Sequence, residues 1–493
     1  MQESVTLVII IAYVIVATWL SLYGFNAIAL SLLYLRHRKD KVVLEPLTEA
    51  PDVTVQLPVY NERYVVERVI DAVAAFDWPR DKLHVQVLDD STDETTGLAR
   101  ARAEFHRARG VDITVLHRTD RTGYKAGALQ AGLACSNSPF VAVFDADFIP
   151  SPDFLRRMIP GFIGRPDVGW VQARWTHLNE NYSALTQALA LLTNSHFMIE
   201  QLARNRAGLP IIFNGSAGIW RRECIETSGG WQHDTLTEDA DLSYRAQIAG
   251  WKGLVLPDVT VPAELPVQIA ALKQQYFRWA KGGTQTLRKL FLPLMRSRLT
   301  FWQKLSGLFF LGAYLGHPLM ILFLVTWLPI ILHPDWLSGF PMAVLGIASL
   351  GLPLEFTLAQ TAIYGRDVRR LIYFPLLSII GSGMALNSTR AVIEALSGRP
   401  SEFMRTPKFR IEGTSETWRR SAYVMPADPT AFGEVLIVGY AAFMIVTAWR
   451  VGNYNAIPLL LLYAAGFTYV AIGSAMRARP GGRRSTVRLK ADA

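Results

Sequence analysis

The chain alternates between long apolar runs and a mixed segment. Val5 to Leu35 form an uncharged, mostly apolar run, and further apolar runs fill the last third of the sequence. The middle has the mixture of polar and apolar residues that is typical of a soluble protein. A helix needs about 20 apolar residues to cross a bilayer core. The pattern therefore predicts a multi-pass membrane protein with one soluble domain inserted between its membrane helices.

Five of the apolar runs are predicted to span the membrane. The first is followed, not preceded, by positive charge at Arg36, Arg38 and Lys39, which favours a retained helix over a signal peptide. It predicts an N-terminal transmembrane helix over residues 1–36. A membrane region over residues 305–476 is predicted to hold the other four spans, which are Leu305–Leu332, Phe340–Ile363, Ala431–Trp449 and Ala456–Met476.

Basic residues predict the orientation. Lys and Arg flanking a span tend to stay in the cytoplasm, so the soluble domain, residues 37–304, is predicted to be cytosolic. Arg399–Arg420 and Arg477–Lys490 carry six Lys or Arg residues each. Both stay inside if the short stretch Leu371–Ala385 does not span. We therefore expect an interfacial or re-entrant element over 371–396, a cytosolic loop over 398–420 and a basic cytosolic tail over 477–493, at the plasma membrane.

The soluble segment alternates between strand and helix patterns, which predicts a mostly parallel α/β sheet. Ligands of such sheets bind beyond the carboxyl ends of the strands. The predicted strands are Val53–Leu57, Val85–Leu88, Ile113–His117 and Phe140–Phe144. The predicted helices are Val65–Phe76, Thr92–Arg109, Lys125–Cys135 and Ala240–Ala249.

The net charge of +9 is compatible with a nucleic acid or a membrane surface as partner. The basic residues cluster beside the apolar runs, which favours membrane lipids and argues against nucleic acid. Cys135 and Cys224 lie far apart and indicate neither a disulfide framework nor a metal site.

Carboxylates end two of the predicted strands. Asp145 and Asp147 are expected to share one face, because strand side chains alternate, and their oxygens suit Mg²⁺ or Mn²⁺ bridged to phosphates. The alternative is a solvated turn. Asp89 and Asp90 could accept hydrogen bonds from a base or ribose, or else form a polar turn or helix cap.

Three further motifs carry candidate chemistry. Lys125 begins a helix among small residues, which suits a phosphate but equally a plain helix start. Asp239, in Thr-Glu-Asp ahead of a helix, could act as a general base or cap that helix. Gln275, Arg278 and Trp279 share a helix face. The arginine could neutralise a diphosphate and the indole could stack on a sugar, unless this helix is an amphipathic juxtamembrane one.

The order of these motifs, followed by Phe403-x-x-Thr406-x-Lys408, resembles the cellulose-synthase-like family-2 glycosyltransferases. Three segments look closest to the plant cellulose-synthase-like A and C groups, which make mannan and glucan. The same segments also recur in bacterial relatives. They are Val171–Trp175, His196-Phe197 with Glu200-Gln201, and Phe213–Gly218.

The resemblance implies a GT-A-like fold, a UDP- or GDP-hexose donor and a site for Mg²⁺ or Mn²⁺. It assigns Asp239 as catalytic base, Asp145 and Asp147 to the metal, and Trp279 and Glu238 to the acceptor. The residues that it implies for the nucleotide sugar are Pro58, Tyr60, Glu62, Asp89, Asp90, Lys125, Asp145, Gln275, Arg278, Phe403, Thr406 and Lys408. Residues 403–408 are expected to gate the donor pocket.

The expected reaction is an inverting hexosyl transfer to a glycan or lipid acceptor held at the membrane. Processive synthesis of a β-glycan, glucan or mannan, is the leading hypothesis. The alternatives are a glycolipid synthase that adds one sugar to diacylglycerol or ceramide, and an inactive sugar-nucleotide sensor or scaffold.

Overall fold

The computed structural model describes residues 2–337, 340, 342–413, 418, 421–425, 428 and 430–475. The predicted tail over 477–493 lies outside the described residues, as do 414–417 and 419–420 of the predicted loop.

The soluble domain is built on one seven-stranded sheet in the order β3-β2-β1-β4-β6-β5-β7. The strands are β1 (Val53–Val59), β2 (Leu83–Asp89), β3 (Asp112–His117), β4 (Phe140–Val143), β5 (Val168–His177), β6 (Gly218–Arg221) and β7 (Lys252–Ala263). Neighbouring strands run parallel except that β6 is antiparallel to both β4 and β5. The predicted mostly parallel α/β sheet is confirmed, and the four predicted strands correspond to β1–β4.

Helices cover both faces of this sheet. They are α2 (Val66–Ala74), α3 (Thr95–Arg107), α4 (Tyr124–Ala134), α5 (Phe154–Met158), α6 (Ala184–Ser195), α7 (Leu202–Arg206), α8 (Arg222–Thr227), α9 (Glu238–Ile248) and α10 (Ile269–Arg296). A π-helical turn, His196–Gln201, joins α6 to α7. Short 3₁₀ turns lie at Arg80–Lys82, Ile159–Phe162 and Glu180–Tyr182.

Apolar side chains of successive β4 residues enter two different hydrophobic clusters. Val141 and Val143 belong to the cluster that α4 covers, and Ala142 belongs to the cluster that α2 covers. Successive side chains of a strand point to opposite faces, so the sheet is buried on both sides. Because β1, β2 and β4 are parallel, the polar residues that follow them lie at the same edge of the sheet.

The remaining helices are mostly apolar. They are α1 (Gln2–His37), α11 (Phe301–Leu311), α12 (Gly316–Leu332), α13 (Met342–Ala348), α14 (Gly351–Tyr364), α15 (Phe374–Gly383), α16 (Ala385–Leu396), α17 (Ala431–Arg450) and α18 (Ile457–Ala475). Further 3₁₀ turns lie at Ala313–Leu315, Pro334–Leu337, Arg369–Tyr373 and Tyr454–Ala456.

Within the described residues, five helical segments are long and apolar enough to cross a membrane. They are Thr6–His37, Ala313–Leu332, Val344–Tyr364, Ala431–Arg450 and Tyr454–Ala475. The second begins at Ala313, not at the predicted Leu305, because helix α11, which contains Leu305, ends before Gly312. Arg369–Gly383 and Ala385–Leu396 form a pair bent by 42°. The interfacial or re-entrant nature of that pair stays a prediction.

A buried lysine ties α10 of the soluble domain to the last helical hairpin. Lys273 is 1% exposed. Its ammonium lies 2.8 Å from Asp428 Oδ2 and 2.5 Å from Glu434 Oε1, and donates to Thr430 Oγ1 at 2.6 Å. A buried charge is tolerated when it is paired and hydrogen-bonded. The contacts therefore fix α10 against the start of α17.

Candidate active site

A cavity of about 210 Å³ lies beyond the carboxyl ends of β1, β4 and β5. Helix α10 and residues 403–408 line its other side. The structure brings fifteen of the sixteen predicted site residues into its wall, namely Pro58, Tyr60, Glu62, Asp90, Lys125, Asp145, Asp147, Glu238, Asp239, Gln275, Arg278, Trp279, Phe403, Thr406 and Lys408. Asp89 is not among the wall residues.

Lys125 stands between carboxylates at the start of α4. Gly123, with φ +76°, precedes the helix. The Lys125 ammonium donates to Asp145 Oδ1 at 2.6 Å and to Gly215 O at 2.8 Å, and lies 3.6 Å from Glu238 Oε1. Burial alone would lower the pKa of Lys125, but the charges of Asp145 and Glu238 raise it above its ordinary value. A positive charge is therefore fixed in the cavity wall.

Asp145 and Asp147 lie in a turn after β4, which ends at Val143. The strand alternation that we expected to align them does not extend that far, and the turn brings both to the cavity instead. Asp147 Oδ2 accepts from Lys408 Nζ at 2.7 Å and from the amide of Glu264 at 3.1 Å.

The two carboxylates suit a divalent cation by chemistry and position. Both are hard oxygen donors of the kind that Mg²⁺ and Mn²⁺ bind together with phosphate oxygens. Within the described residues there is no group of three or more His, Cys, Asp or Glu side chains that could hold a metal. The protein would thus supply two carboxylates, and a bound diphosphate would supply further oxygen ligands.

Asp239 lies in the first turn of α9, deep in the cavity. Its Oδ1 accepts from the amide of Ala240 at 2.8 Å. Burial, and then the neighbouring charge of Glu238, raise the pKa of the Asp239 carboxyl to about 7, while Lys125 opposes the shift. A carboxylate with a pKa near neutrality is suited to accept a proton from a hydroxyl group.

Helix α10 approaches the Asp239 turn closely. A Cβ added to Gly282 would lie 2.6 Å from Thr237 Cγ2. One to two turns earlier, Gln275, Arg278 and Trp279 line the cavity. The Arg278 guanidinium donates to Met404 O at 3.1 Å and lies 4.8 Å from the ring centroid of Phe403. Burial lowers the pKa of Arg278.

Residues 403–408 are held over the cavity by charged and aromatic contacts. Arg405 lies 3.2 Å from Glu62 Oε2. The ring of Phe403 stacks on Tyr124 with centroids 5.9 Å apart. Pockets for small molecules usually measure about 300–1,000 Å³, so the cavity is smaller than a typical small-molecule pocket. A gating role for this segment stays a prediction.

The two aspartates after β2 have different surroundings. Asp90 lies in the cavity wall and receives hydrogen bonds from Arg118 at 2.7 and 2.6 Å. Asp89 is fully buried and accepts from the Ser91 amide at 3.0 Å and Thr96 Oγ1 at 2.7 Å, with His117 Nδ1 at 2.7 Å. Its contacts stabilise the turn that positions Asp90.

Three segments singled out in the sequence converge on the loop that carries Gly215. His196 Nε2 lies 2.8 Å from Asn214 Oδ1. Gln172 accepts from the Asn214 amide at 2.9 Å and donates to Ser216 O at 3.0 Å. Trp175 Nε1 also donates to Ser216 O, at 3.2 Å. These contacts position Gly215, whose carbonyl accepts from Lys125.

Sequence reasoning did not identify several cavity residues. Arg121 lies 3.4 Å from the centroid of the Tyr60 ring and brings a guanidinium to the cavity wall. Burial lowers the pKa of His177 to about 4, which leaves it neutral. Burial raises the pKa of the Glu264 carboxyl to about 7, against the effect of Lys408. Arg121 precedes the Gly-Tyr-Lys segment, which is the one sequence signal that could have indicated it.

Comparison with known proteins agrees with this fold and motif order. Residues 51–282 match the family model described as glycosyltransferase like family 2. The chain is 34% identical over 442 residues to glucomannan 4-beta-mannosyltransferase 2 of Arabidopsis thaliana, covering 86% of this chain and 80% of that protein. The chain therefore belongs to the family-2 glycosyltransferases and is a hexosyltransferase.

Other relatives lie in the same group. Glucomannan 4-beta-mannosyltransferase 1 of Oryza sativa subsp. japonica is 32% identical over 447 residues, covering 86% of this chain and 82% of that protein. The resemblance to the cellulose-synthase-like enzymes is thereby confirmed. Among solved structures, the mannosyltransferase PcManGT from Pyrobaculum calidifontis in complex with GDP-Man and Mn²⁺ aligns with a TM-score of 0.55 at 21% identity. It covers 81% of this chain and 100% of that chain, and supports the GT-A-like fold.

Proposed function

We propose that the protein is an inverting membrane mannosyltransferase that moves mannose from GDP-mannose to a growing β-glycan. The observation that carries the proposal is the single cavity in which Asp239, the Lys125–Asp145 pair, Arg278 and Trp279 meet. The names of the plant relatives favour mannose and a 1,4-β-linked glycan over other hexoses. The solved neighbour with GDP-Man supports the same donor.

Asp239 accepts the proton of an acceptor hydroxyl, whose oxygen attacks the anomeric carbon of mannose. The new glycosidic C–O bond forms as the bond to the diphosphate oxygen breaks, and GDP leaves. One displacement on an α-linked donor inverts the anomeric carbon and gives a β-linkage. With a pKa of about 7, Asp239 is partly ionised at neutral pH and mostly ionised at higher pH.

The charges around the cavity suit a diphosphate leaving group. Arg278 and Lys125 would offset the negative charge that develops on the departing oxygen. Asp145 and Asp147 would hold a divalent cation, Mg²⁺ or Mn²⁺, which supplies Lewis-acid stabilisation to the diphosphate. Chelator should stop transfer, and added Mn²⁺ or Mg²⁺ should restore it.

The acceptor would enter from the side of α10. Trp279, whose ring centroid lies 5.7 Å from that of Tyr276, offers a face for the terminal sugar of the glycan, and Glu238 lies beside the base. The basic flanks of the spans support a cytosolic catalytic domain at the plasma membrane. We propose that the polymer leaves through the membrane helices, with membrane lipids as the surrounding partner.

The test is a donor and product assay on the purified full-length protein. The protein is incubated with GDP-mannose, GDP-glucose or UDP-glucose, and the product is extracted with organic solvent, sized and digested with endo-β-mannanase. An aqueous, mannanase-sensitive polymer made from GDP-mannose is expected. A single hexose on an organic-soluble lipid would contradict the polymer. Release of no nucleotide from any donor would indicate an inactive sensor or scaffold, against which the full set of site residues argues.

A further inference from the structure

A buried carboxylate holds the backbone of the segment that closes the cavity. Glu264 follows β7 directly and is 5% exposed. Its Oε1 accepts from the amide of Phe409 at 2.9 Å, and its Oε2 accepts from the amide of Arg410 at 3.0 Å. Both oxygens of one side chain are thus used on two consecutive backbone groups, immediately after Lys408.

The backbone at this point is shaped for that contact. Arg410 has φ +58°, a left-handed conformation that is costly for a residue with a side chain. Consecutive amides brought together in this way form a concave anion-binding site. A carboxylate that accepts from both amides stabilises a conformation that the chain would otherwise avoid.

The main chain of Glu264 joins the same segment to the candidate metal site. Its amide donates to Asp147 Oδ2 at 3.1 Å, and its carbonyl accepts from Lys408 Nζ at 3.2 Å. Two backbone carbonyls of the segment are also bound, since Phe403 O accepts from Arg121 at 3.3 Å and Met404 O accepts from Arg278 at 3.1 Å. A side-chain contact lies just beyond the segment. Arg68 pairs with Glu412 at 2.6 Å, where Glu412 is 45% exposed. Exposed pairs of this kind contribute little.

We propose that Glu264 is the positioning residue that seats residues 403–410 over the donor cavity, an inference that rests on the proposed function. With both amides bound, Thr406 and Lys408 face the cavity and water is kept from the donor. Without these two hydrogen bonds, the segment moves away from the cavity more often. The donor then binds more weakly, and its sugar is hydrolysed by water more often.

Hydrogen exchange tests the position of the segment without reference to catalysis. In the full-length protein, Glu264→Ala should speed exchange of the amides of 409 and 410 by tenfold or more, with α10 and β1 unchanged. Glu264→Gln keeps one accepting oxygen and should give a smaller increase. The matched control is Glu412→Gln, which removes the charge of an exposed carboxylate just beyond the segment and should change exchange by less than twofold.

Kinetics with the same variants test the consequence. Glu264→Gln should raise the KM for GDP-mannose about tenfold and raise the ratio of donor hydrolysis to transfer, with a smaller change in kcat. Arg410→Ala should have neither effect, because Glu264 binds the amide of this residue and the side chain makes only an exposed pair with Glu412. Unchanged exchange at 409 and 410 in folded Glu264→Ala and Glu264→Gln would overturn the proposal. If no mannosyl transfer is found but exchange rises, the positioning role of Glu264 is supported and the proposed function is contradicted.

Discussion

The ammonium of Lys408 lies 2.7 Å from Oδ2 of Asp147. A divalent cation at Asp147 would bind a carboxylate that already accepts from this ammonium, so the two positive charges would compete for the same group. The position of residues 403–408 and the charge bound at Asp147 are therefore linked.

Replacing Lys408 by Met should strengthen Mn²⁺ binding to the donor-free protein, because the competing positive charge is gone. We expect the half-saturating Mn²⁺ concentration to fall roughly tenfold, which corresponds to about 1.4 kcal/mol. Electron paramagnetic resonance of free Mn²⁺ measures it. Lys252→Met, which removes an exposed ammonium that pairs with Asp167, is the control. Weaker or unchanged binding in Lys408→Met would show that the two cations do not compete.

Asp239→Asn should abolish mannosyl transfer and keep donor binding, because only proton acceptance is lost. The expected fall in kcat is about 100-fold or more, as is usual for loss of a general base. Transfer is measured with radiolabelled donor, and binding by calorimetry. Asp234→Asn changes an exposed carboxylate that pairs with Lys289 and should stay active. Near-normal turnover in Asp239→Asn would rule out the base assignment.

The pH dependence should follow the same carboxyl. Because burial and Glu238 raise the pKa of Asp239 to about 7, the base is protonated and inactive below that pH, and kcat/KM should rise as pH increases through about 7. Glu238→Gln removes the neighbouring negative charge, so the rise in kcat/KM should occur at lower pH. A wild-type limb near pH 4, the ordinary range of a carboxyl, would contradict this, as would an upward shift in Glu238→Gln.

Gly215→Ala should lower activity more than stability. An added Cβ would lie 2.7 Å from Asp239 Oδ2, at a position with φ +80°. Gly208 has φ +67° with nothing within 4 Å of an added Cβ, so Gly208→Ala reproduces the backbone strain alone. In both variants the free energy of unfolding should fall by about 1–2 kcal/mol. Only Gly215→Ala should lose tenfold or more in kcat, and equal activity in the two would show that Gly215 does not restrict Asp239.

Trp279→Ala should shorten the product more than it slows donor hydrolysis. A terminal sugar stacked on the indole would lose about 1 kcal/mol of binding, whereas water needs no stacking surface. Product length by gel filtration and GDP release in the absence of acceptor are compared in one preparation. Equal loss of both activities would mean that Trp279 serves packing, as expected if the acceptor were a lipid hydroxyl.

The sequence predicted the first half of the sheet because its apolar residues keep the period of each element. Strands β1–β4 and helices α2–α4 lie within three residues of their predicted bounds. Strand β7 was missed because Pro257 and Pro262 interrupt it, and its pairing with β5 is irregular. Strand β5 was missed because its buried first half shows no alternation of apolar and polar residues.

Motifs predicted most of the cavity wall, yet they could not show which residues support one another. Glu264 is 145 residues from Phe409 in the chain, and no local pattern links them. Asp89 and Asp90 look equivalent in sequence. Only the structure shows that Asp89 is enclosed by Ser91, Thr96 and His117 while Asp90 faces the cavity.

The contacts of Lys273 with Asp428 and Glu434 limit where the chain can be truncated. The family model ends at residue 282, inside α10 and before the partners of Lys273, so the glycosyltransferase family match is not a self-sufficient unit. A fragment cut there would keep the lysine and lose Asp428 and Glu434, together with the helices that bury the lysine. It would also lose Lys408 and the backbone that Glu264 binds. An excised soluble fragment would lack part of the cavity wall, so we expect activity only from the whole polypeptide in detergent or lipid.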